Sequence, residues 1–108
     1  MATYTNTSYV AKNVGTSAST LTTVASATTA AIASLIVSNT TTSPITTSVY
    51  FTRSAVDYYL VYQATVPVGG SLEVIQGNRV VLIASDILKV VNSTASSGDC
   101  VASVLLAA

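Results

Sequence analysis

Apolar and polar positions in this chain alternate with a period of two, and turn residues interrupt them at intervals of roughly 8–12 residues. Ile45 to Arg53 shows the pattern best: Ile45, Thr47, Val49 and Phe51 share one side, and Thr46, Ser48, Tyr50 and Thr52 share the other. Asp57 to Gln63 continues it, with Tyr58, Leu60 and Tyr62 set against Tyr59 and Val61. Ser54-Ala55-Val56 between them is short enough for a hairpin connection. From Cys100 to Leu106, Val101, Ser103 and Leu105 alternate with Ala102, Val104 and Leu106. Ala2 to Val10 alternates weakly with polar residues on both sides, which predicts an edge strand or an arm within residues 1–12 that pairs with a neighbour.

Two stretches are more uniformly apolar. Ala30 to Thr40 has the Ala content of a helix, but Ile32, Leu35, Ile36 and Val37 do not repeat at helical spacing. Its β-branched tail and the turn cluster Asn39 to Pro44 predict a central strand. Val66 to Asn92 is broken by Pro67, Gly69-Gly70, Gly77-Asn78 and Ser85-Asp86 into three strand-length pieces: Ser71 to Ile75, Arg79 to Ala84 and Ile87 to Asn92. Their tight connections predict one antiparallel three-stranded sheet against which the rest packs. Thr20 to Val24 adds a short strand, Asn13 to Ser19 a loop, and Ser93 to Gly98 a flexible loop. About eight or nine strands at this spacing predict an all-β fold, a single antiparallel β-sandwich of jelly-roll or Ig-like type. The 108 residues form one domain, 1–108.

Composition changes that picture in one respect. Only 7% of the residues are charged, against a norm of about 25%, and Ser and Thr at roughly 30% fill the gap. A hydroxyl-rich, charge-poor surface favours association over solitary solubility, so much of it is expected to meet other protein. Lys12, Arg53, Arg79 and Lys89 balance Asp57, Glu73, Asp86 and Asp99. No basic stripe tracks a phosphate backbone, which argues against nucleic acid as a partner. No apolar stretch approaches the ~20 residues that span a bilayer, and Met1 to Lys12 lacks the order of a secretory signal.

Candidate chemistry is sparse. The chain has no histidine, so Ser-His-Asp and Cys-His arrangements are excluded. Cys100 stands alone and is expected as a small buried hydrophobe, with no intrachain disulfide or Cys/His metal cluster. Lys12 and Lys89 fall at exposed positions, away from any serine cleft, and Glu73 and Asp86 lie on different strands. Asp57 and Asp99 each open a strand, where acids hydrogen-bond turns. Asn6-Thr7-Ser8, Asn39-Thr40-Thr41 and Asn92-Ser93-Thr94 fit the glycosylation pattern, as chance matches do in so hydroxyl-rich a chain. No enzyme and no cofactor is expected. Tyr50, Tyr58, Tyr59 and Tyr62 concentrate in one hairpin with Arg53. These five residues suit a partner- or sugar-binding face, or the inward packing and bracing of a subunit contact.

VPVGGSLEVI, a Gly turn, VVLIASDILKVVNSTA and a closing DCVASVLLA together resemble small virion proteins of tailed bacteriophages, especially phages of marine and freshwater bacteria. The resemblance is clearest from Val66 to Leu106 and looser from Ala11 to Arg53. Ser85-Asp86 stands where a Gly-Asp turn is commoner. The resemblance implies a structural, non-enzymatic virion protein, foremost a capsid decoration or cement subunit assembled in the host cytoplasm. Its implied partners are the major capsid protein or tail and neck proteins, and further copies of itself. The alternative it implies is a tail, neck, baseplate or fibre component, with the Tyr50 to Tyr62 hairpin as a receptor- or glycan-binding module.

Overall fold

The β-branched and alternating segments fold as strands: Tyr4–Val14 (β1), Ser19–Thr23 (β2), Thr29–Asn39 (β3), Ile45–Arg53 (β4), Val56–Val66 (β5), Ser71–Glu73 (β6), Val80–Leu82 (β7), Ile87–Asn92 (β8) and Gly98–Ala107 (β9). The computed structural model describes residues 4–75 and 80–107. All described pairings are antiparallel and form two sheets. One runs β1-β9-β3-β6, with β7 also on β3, and the other runs β2-β8-β4-β5. This is the jelly-roll order, with β6 and β7 together standing as one interrupted edge beside β3. An Ig-type arrangement groups its strands differently.

The predicted three-stranded sheet from Ser71 to Asn92 does not form. Among the described residues β6 and β7 each pair with β3 and not with one another, while β8 lies in the opposite sheet between β2 and β4. The jelly roll changes sheets at nearly every connection; the β4–β5 hairpin stays within one sheet, and β6 and β7 both lie in the other. The crossing from β7 to β8 is made at Ser85, whose φ is 73°. The Gly77-Asn78 turn and Arg79 lie outside the described residues.

The inward sides of both sheets are aliphatic. Ile32, Leu35 and Val37 of β3 and Ala102 and Val104 of β9 meet Val49 of β4 and Leu88 and Val90 of β8, with Cys100 fully buried among them. β3 is the predicted central strand, flanked by β9 along its whole length. A bulge between Ile32 and Ser34 shifts its alternation once.

Buried amides close one end of the sandwich. Asn39 Nδ2 donates to the carbonyls of Ser43 (2.8 Å) and Val66 (3.2 Å), and its Oδ1 accepts from Thr41 N (2.9 Å). Asn92 Nδ2 donates to Ser97 Oγ (3.0 Å), and Thr40 N donates to Ser97 O (3.0 Å). The connection expected to be a flexible loop is therefore pinned at its end, where Ser97 is fully buried. These amides occupy two of the three glycosylation matches and serve instead to satisfy loop backbone that apolar residues would leave unpaired. The Pro67–Gly70 turn at the same end closes with Gly70 N donating to Pro67 O (3.0 Å), and Gly69 takes φ 66°. That is the type II position that favours glycine.

Candidate functional site

The hairpin of β4 and β5 positions the tyrosines. Arg53 pairs with Val56, so the loop is Ser54-Ala55 alone, and φ values of 53° and 61° make it a type I′ turn. β5 then carries two extra residues. One lies between the pairs Tyr50–Tyr59 and Val49–Val61, and the other between Val49–Val61 and Thr47–Ala64. Each extra residue reverses the side to which the next side chain points. Leu60 and Val61 consequently both pack on the core, while Tyr59 and Tyr62 come together outside. Strict alternation predicted Tyr62 on the side of Tyr58 and Leu60. The bulges overturn that.

Three of the five candidate residues form one cluster. Tyr50 and Tyr59 lie with ring centroids 4.9 Å apart, and Tyr62 meets Tyr59 edge-on at 5.0 Å and 88°. Tyr50 is buried beneath, whereas Tyr59 and Tyr62 are 48% and 64% exposed. Burial pushes the Tyr50 hydroxyl above the usual tyrosine range, and the charge of Asp57 and the neighbouring Tyr59 add to the effect. Beside the exposed rings a cleft of about 210 Å³ is lined by Thr46, Ser48, Gln63 and Ser93. Gln63 N donates to Ser48 Oγ (2.9 Å), and Gln63 Nε2 donates to Tyr62 Oη (3.4 Å). An aromatic surface thus borders hydroxyl and amide groups.

Tyr58 and Arg53 belong to a second cluster. Tyr58 stacks on Phe51 at 5.4 Å, and the Arg53 guanidinium carbon sits 5.1 Å from the centre of the Phe51 ring. Arg53 Nε and Nη2 donate to the two carboxylate oxygens of Asp86 at 2.9 and 2.6 Å, and Ile83 N donates to Asp86 Oδ2 (2.9 Å). The Asp86 side chain is 1% exposed and that of Arg53 38%. The Arg53 hydrogen bonds hold the Asp86 carboxyl below the usual range against the opposing effect of burial, and the same bonds raise Arg53. Arg53 therefore ties the hairpin to the β7–β8 crossing. Asp86, 33 positions away, carried no mark in the sequence of being its partner.

Lys12, Asp57, Glu73 and Asp99 meet polar partners nearby. Lys12 Nζ lies 3.5 Å from Asp99 Oδ2, and Asn13 N donates to Asp99 Oδ1 (3.1 Å). Asp57 accepts from Thr52 Oγ1 (2.7 Å). Glu73 accepts from Ser34 Oγ (3.4 Å) and from the amides of Leu35 and Ile75 (both 3.3 Å), covering the stretch of β3 between β6 and β7. Lys89, expected at the surface, is half-buried on β8 opposite Tyr50. Among the described residues no three His, Cys, Asp or Glu side chains are grouped to hold a metal ion. Burial pushes the Cys100 thiol up to about 12, so the thiolate that would attack a disulfide is scarce at neutral pH.

The outward side of the first sheet is a second surface. Val10, Val101 and Ile36 stand opposite one another across β1, β9 and β3, all exposed. Asn6, Leu105, Ala31 and Val81 form a parallel row across β1, β9, β3 and β7. Aliphatic and hydroxyl groups cover it with little charge.

No protein-family model matches the sequence, and no curated protein matches it either. Among solved structures, a protein of Bacillus endospore appendages, described as forming a novel family of disulfide-linked pili, superposes with a TM-score of 0.56. The match has 13% identity and covers 98% of this chain and 86% of the other. At that identity the likeness is one of fold. None of these comparisons points to a virion protein.

Proposed function

We propose that the protein is a non-enzymatic structural subunit of a multi-copy particle, in the first place a capsid decoration or cement subunit of a tailed bacteriophage virion. The observation that carries this reading is the outward side of the first sheet, where Val10, Val101 and Ile36 stand exposed in one row. Such a row favours burial against another protein at about 25 cal/mol per Å², and repetition over many copies turns a weak contact into a firm one. The low share of charged residues, 7%, supports the same reading, since little on the surface would repel a neighbour. The appendage protein of similar fold is itself described as forming pili. A linkage through disulfides does not carry over, because Cys100 is the single cysteine and is fully buried. The phage assignment rests on the sequence resemblance.

Mass spectrometry of purified particles tests the reading. The protein is expected at a fixed copy number, and its absence from every virion fraction sinks the proposal. Cryo-EM density between capsomers supports the cement role, and density confined to tail or neck moves the subunit there.

The tyrosine cluster supports a second reading, a fibre component that binds a glycan. Exposed Tyr59 and Tyr62 rings next to the Ser48–Gln63 cleft combine an apolar platform with hydrogen-bonding groups, as sugars require. Tyr59→Ala and Tyr62→Ala are expected to abolish glycan-array binding under this reading. An array without signal for the parent protein removes it.

A further inference from the structure

The sandwich has four edges, and three carry features that discourage another strand from adding. β5 is bulged twice and holds Gln63 at a left-handed φ of 50°. β2 is five residues long and bulged between Thr20 and Thr22. The edge formed by β6 and β7 consists of two three-residue strands, with the Glu73 carboxylate turned onto Leu35 N between them. Short strands, bulges and charges at an edge are the usual protections against edge-to-edge pairing.

β1 has none of these over most of its length. It pairs only with β9 among the described residues, in unbroken register from Tyr4–Ala107 to Ala11–Cys100. No charged residue, proline or glycine occurs from Tyr4 to Ala11. The first irregularity and the first charge both lie beyond it, and that charge, on Lys12, is met by Asp99. Its outward backbone N–H and C=O groups are therefore offered in a straight row.

We propose that this edge pairs antiparallel with the same edge of a second copy of the chain, about a two-fold axis at Thr7. The partner is β1 of another copy, because among the described residues the other three edges are short, bulged or met by a carboxylate. Identical edges meet here without like-charge repulsion, since neither carries a charge over the paired span. Residues directly opposite in an antiparallel pair share a face. A two-fold at Thr7 sets Tyr4 against the partner's Val10, Thr5 against the partner's Tyr9, and Asn6 against the partner's Ser8. Tyr4 and Val10 are the two most exposed large apolar side chains described, at 68% and 71%, and this register covers each with the other. On the core side, a cleft of about 210 Å³ opens beside Thr5 and Tyr9, where the partner's Tyr9 and Thr5 project. Shifting the axis to Asn6 or Ser8 leaves Val10 or Tyr4 without that apolar partner. The interface is isologous and closes after two copies. It joins the two first sheets into one continuous sheet and makes the dimer the unit that enters a particle.

The inference rests on the assembly reading and names one partner within it, and solution measurements separate the two. Sedimentation equilibrium of the full chain is expected to give twice the 11.0 kDa chain mass. The double variant N6K/S8K places lysine against lysine twice across the two-fold and is expected to weaken the dimer at least about tenfold. N6K/S8E places lysine against glutamate in the same register and is expected to keep it. Both positions are exposed, and thermal melts by circular dichroism check that folding is retained. Amide exchange on the unaltered protein gives a readout without mutation: alternate amides of residues 5–9 gain protection as concentration rises. A monomer up to millimolar concentration, equal behaviour of the two variants, or exchange indifferent to concentration overturns the proposal. A monomer that is nevertheless found in particles keeps the structural role and removes this dimer. A dimer absent from every particle does the reverse.

Discussion

Asp86 and Gly98 show how much rests on single residues. Asp86 is buried, so its charge is tolerated because Arg53 and Ile83 N satisfy it. A carboxyl whose folded pKa is lowered contributes stability that is complete above its unfolded pKa of about 3.9 and is lost as pH falls through the folded value. Asp86→Asn is expected to melt at a lower temperature than the parent at pH 7, with the gap closing toward pH 2. An equal gap at both pH values means that the ion pair is not its source. Gly98 is constrained differently. A Cβ there would run into the Ser38 carbonyl oxygen and come within 2.9 Å of Asn92 Nδ2. Gly98→Ala is expected to lose about 1–3 kcal/mol by urea denaturation. Gly69→Ala meets no atom within 4 Å and loses only the left-handed penalty, about 1 kcal/mol. The sequence marked Gly69 through its Pro-Val-Gly-Gly turn. Gly98 and Asp86 were read only as a loop end and a turn residue, because the atoms that constrain them come from distant strands.

At the scale of the strand, local pattern was a good guide wherever the ladder is regular. β4 keeps the sides as read, with Ile45, Thr47 and Val49 buried on one side, although Ser48 and Tyr50 on the other side are buried as well. β5 does not, because a bulge is a property of the pairing with β4 and leaves no periodic trace in its own residues. Tyr59 and Tyr62 therefore share a surface despite a spacing that places them on opposite sides of an ideal strand. The turn that joins these strands holds two non-glycine residues at positive φ, where each L-residue costs roughly 1–2 kcal/mol. S54N/A55G supplies the residues a type I′ turn prefers, and a gain of about 1 kcal/mol in the denaturation midpoint analysis is expected. Ser48→Ala removes the acceptor for Gln63 N beside a buried position, and a loss of about 1 kcal/mol is expected. If the Tyr59–Tyr62 contact depends on that bulge, tyrosine fluorescence changes with it; an unchanged spectrum separates the bulge from the ring packing.

Across the whole molecule, one aliphatic core between two sheets carries the stability. Leu35→Ala, at a fully buried position of the central strand, is expected to lose about 2–5 kcal/mol. Cys100 lies in the same core, and burial raises its thiol to about 12. Thiol reagent at pH 8 is therefore expected to label it negligibly in the native protein and completely in denaturant. Rapid native labelling would show that the two sheets separate locally. The exposed aliphatic rows on the first sheet lie on the side turned away from this core.

What the residues determined by themselves is what short-range physics can determine. Period-two alternation, β-branched content and turn residues made the chain an all-β sandwich and located Ile45–Arg53 and the strand of Thr29–Asn39. Absence of histidine and a lone cysteine narrowed the chemistry. Tertiary structure decided which sheet each strand joins, sending Ile87–Asn92 away from its sequence neighbours into the opposite sheet. It also decided which side of β5 each tyrosine faces and that Arg53 is held by Asp86. Those outcomes depend on register and on groups tens of residues apart, and the burial of the core, shared by all strands at once, selects among them.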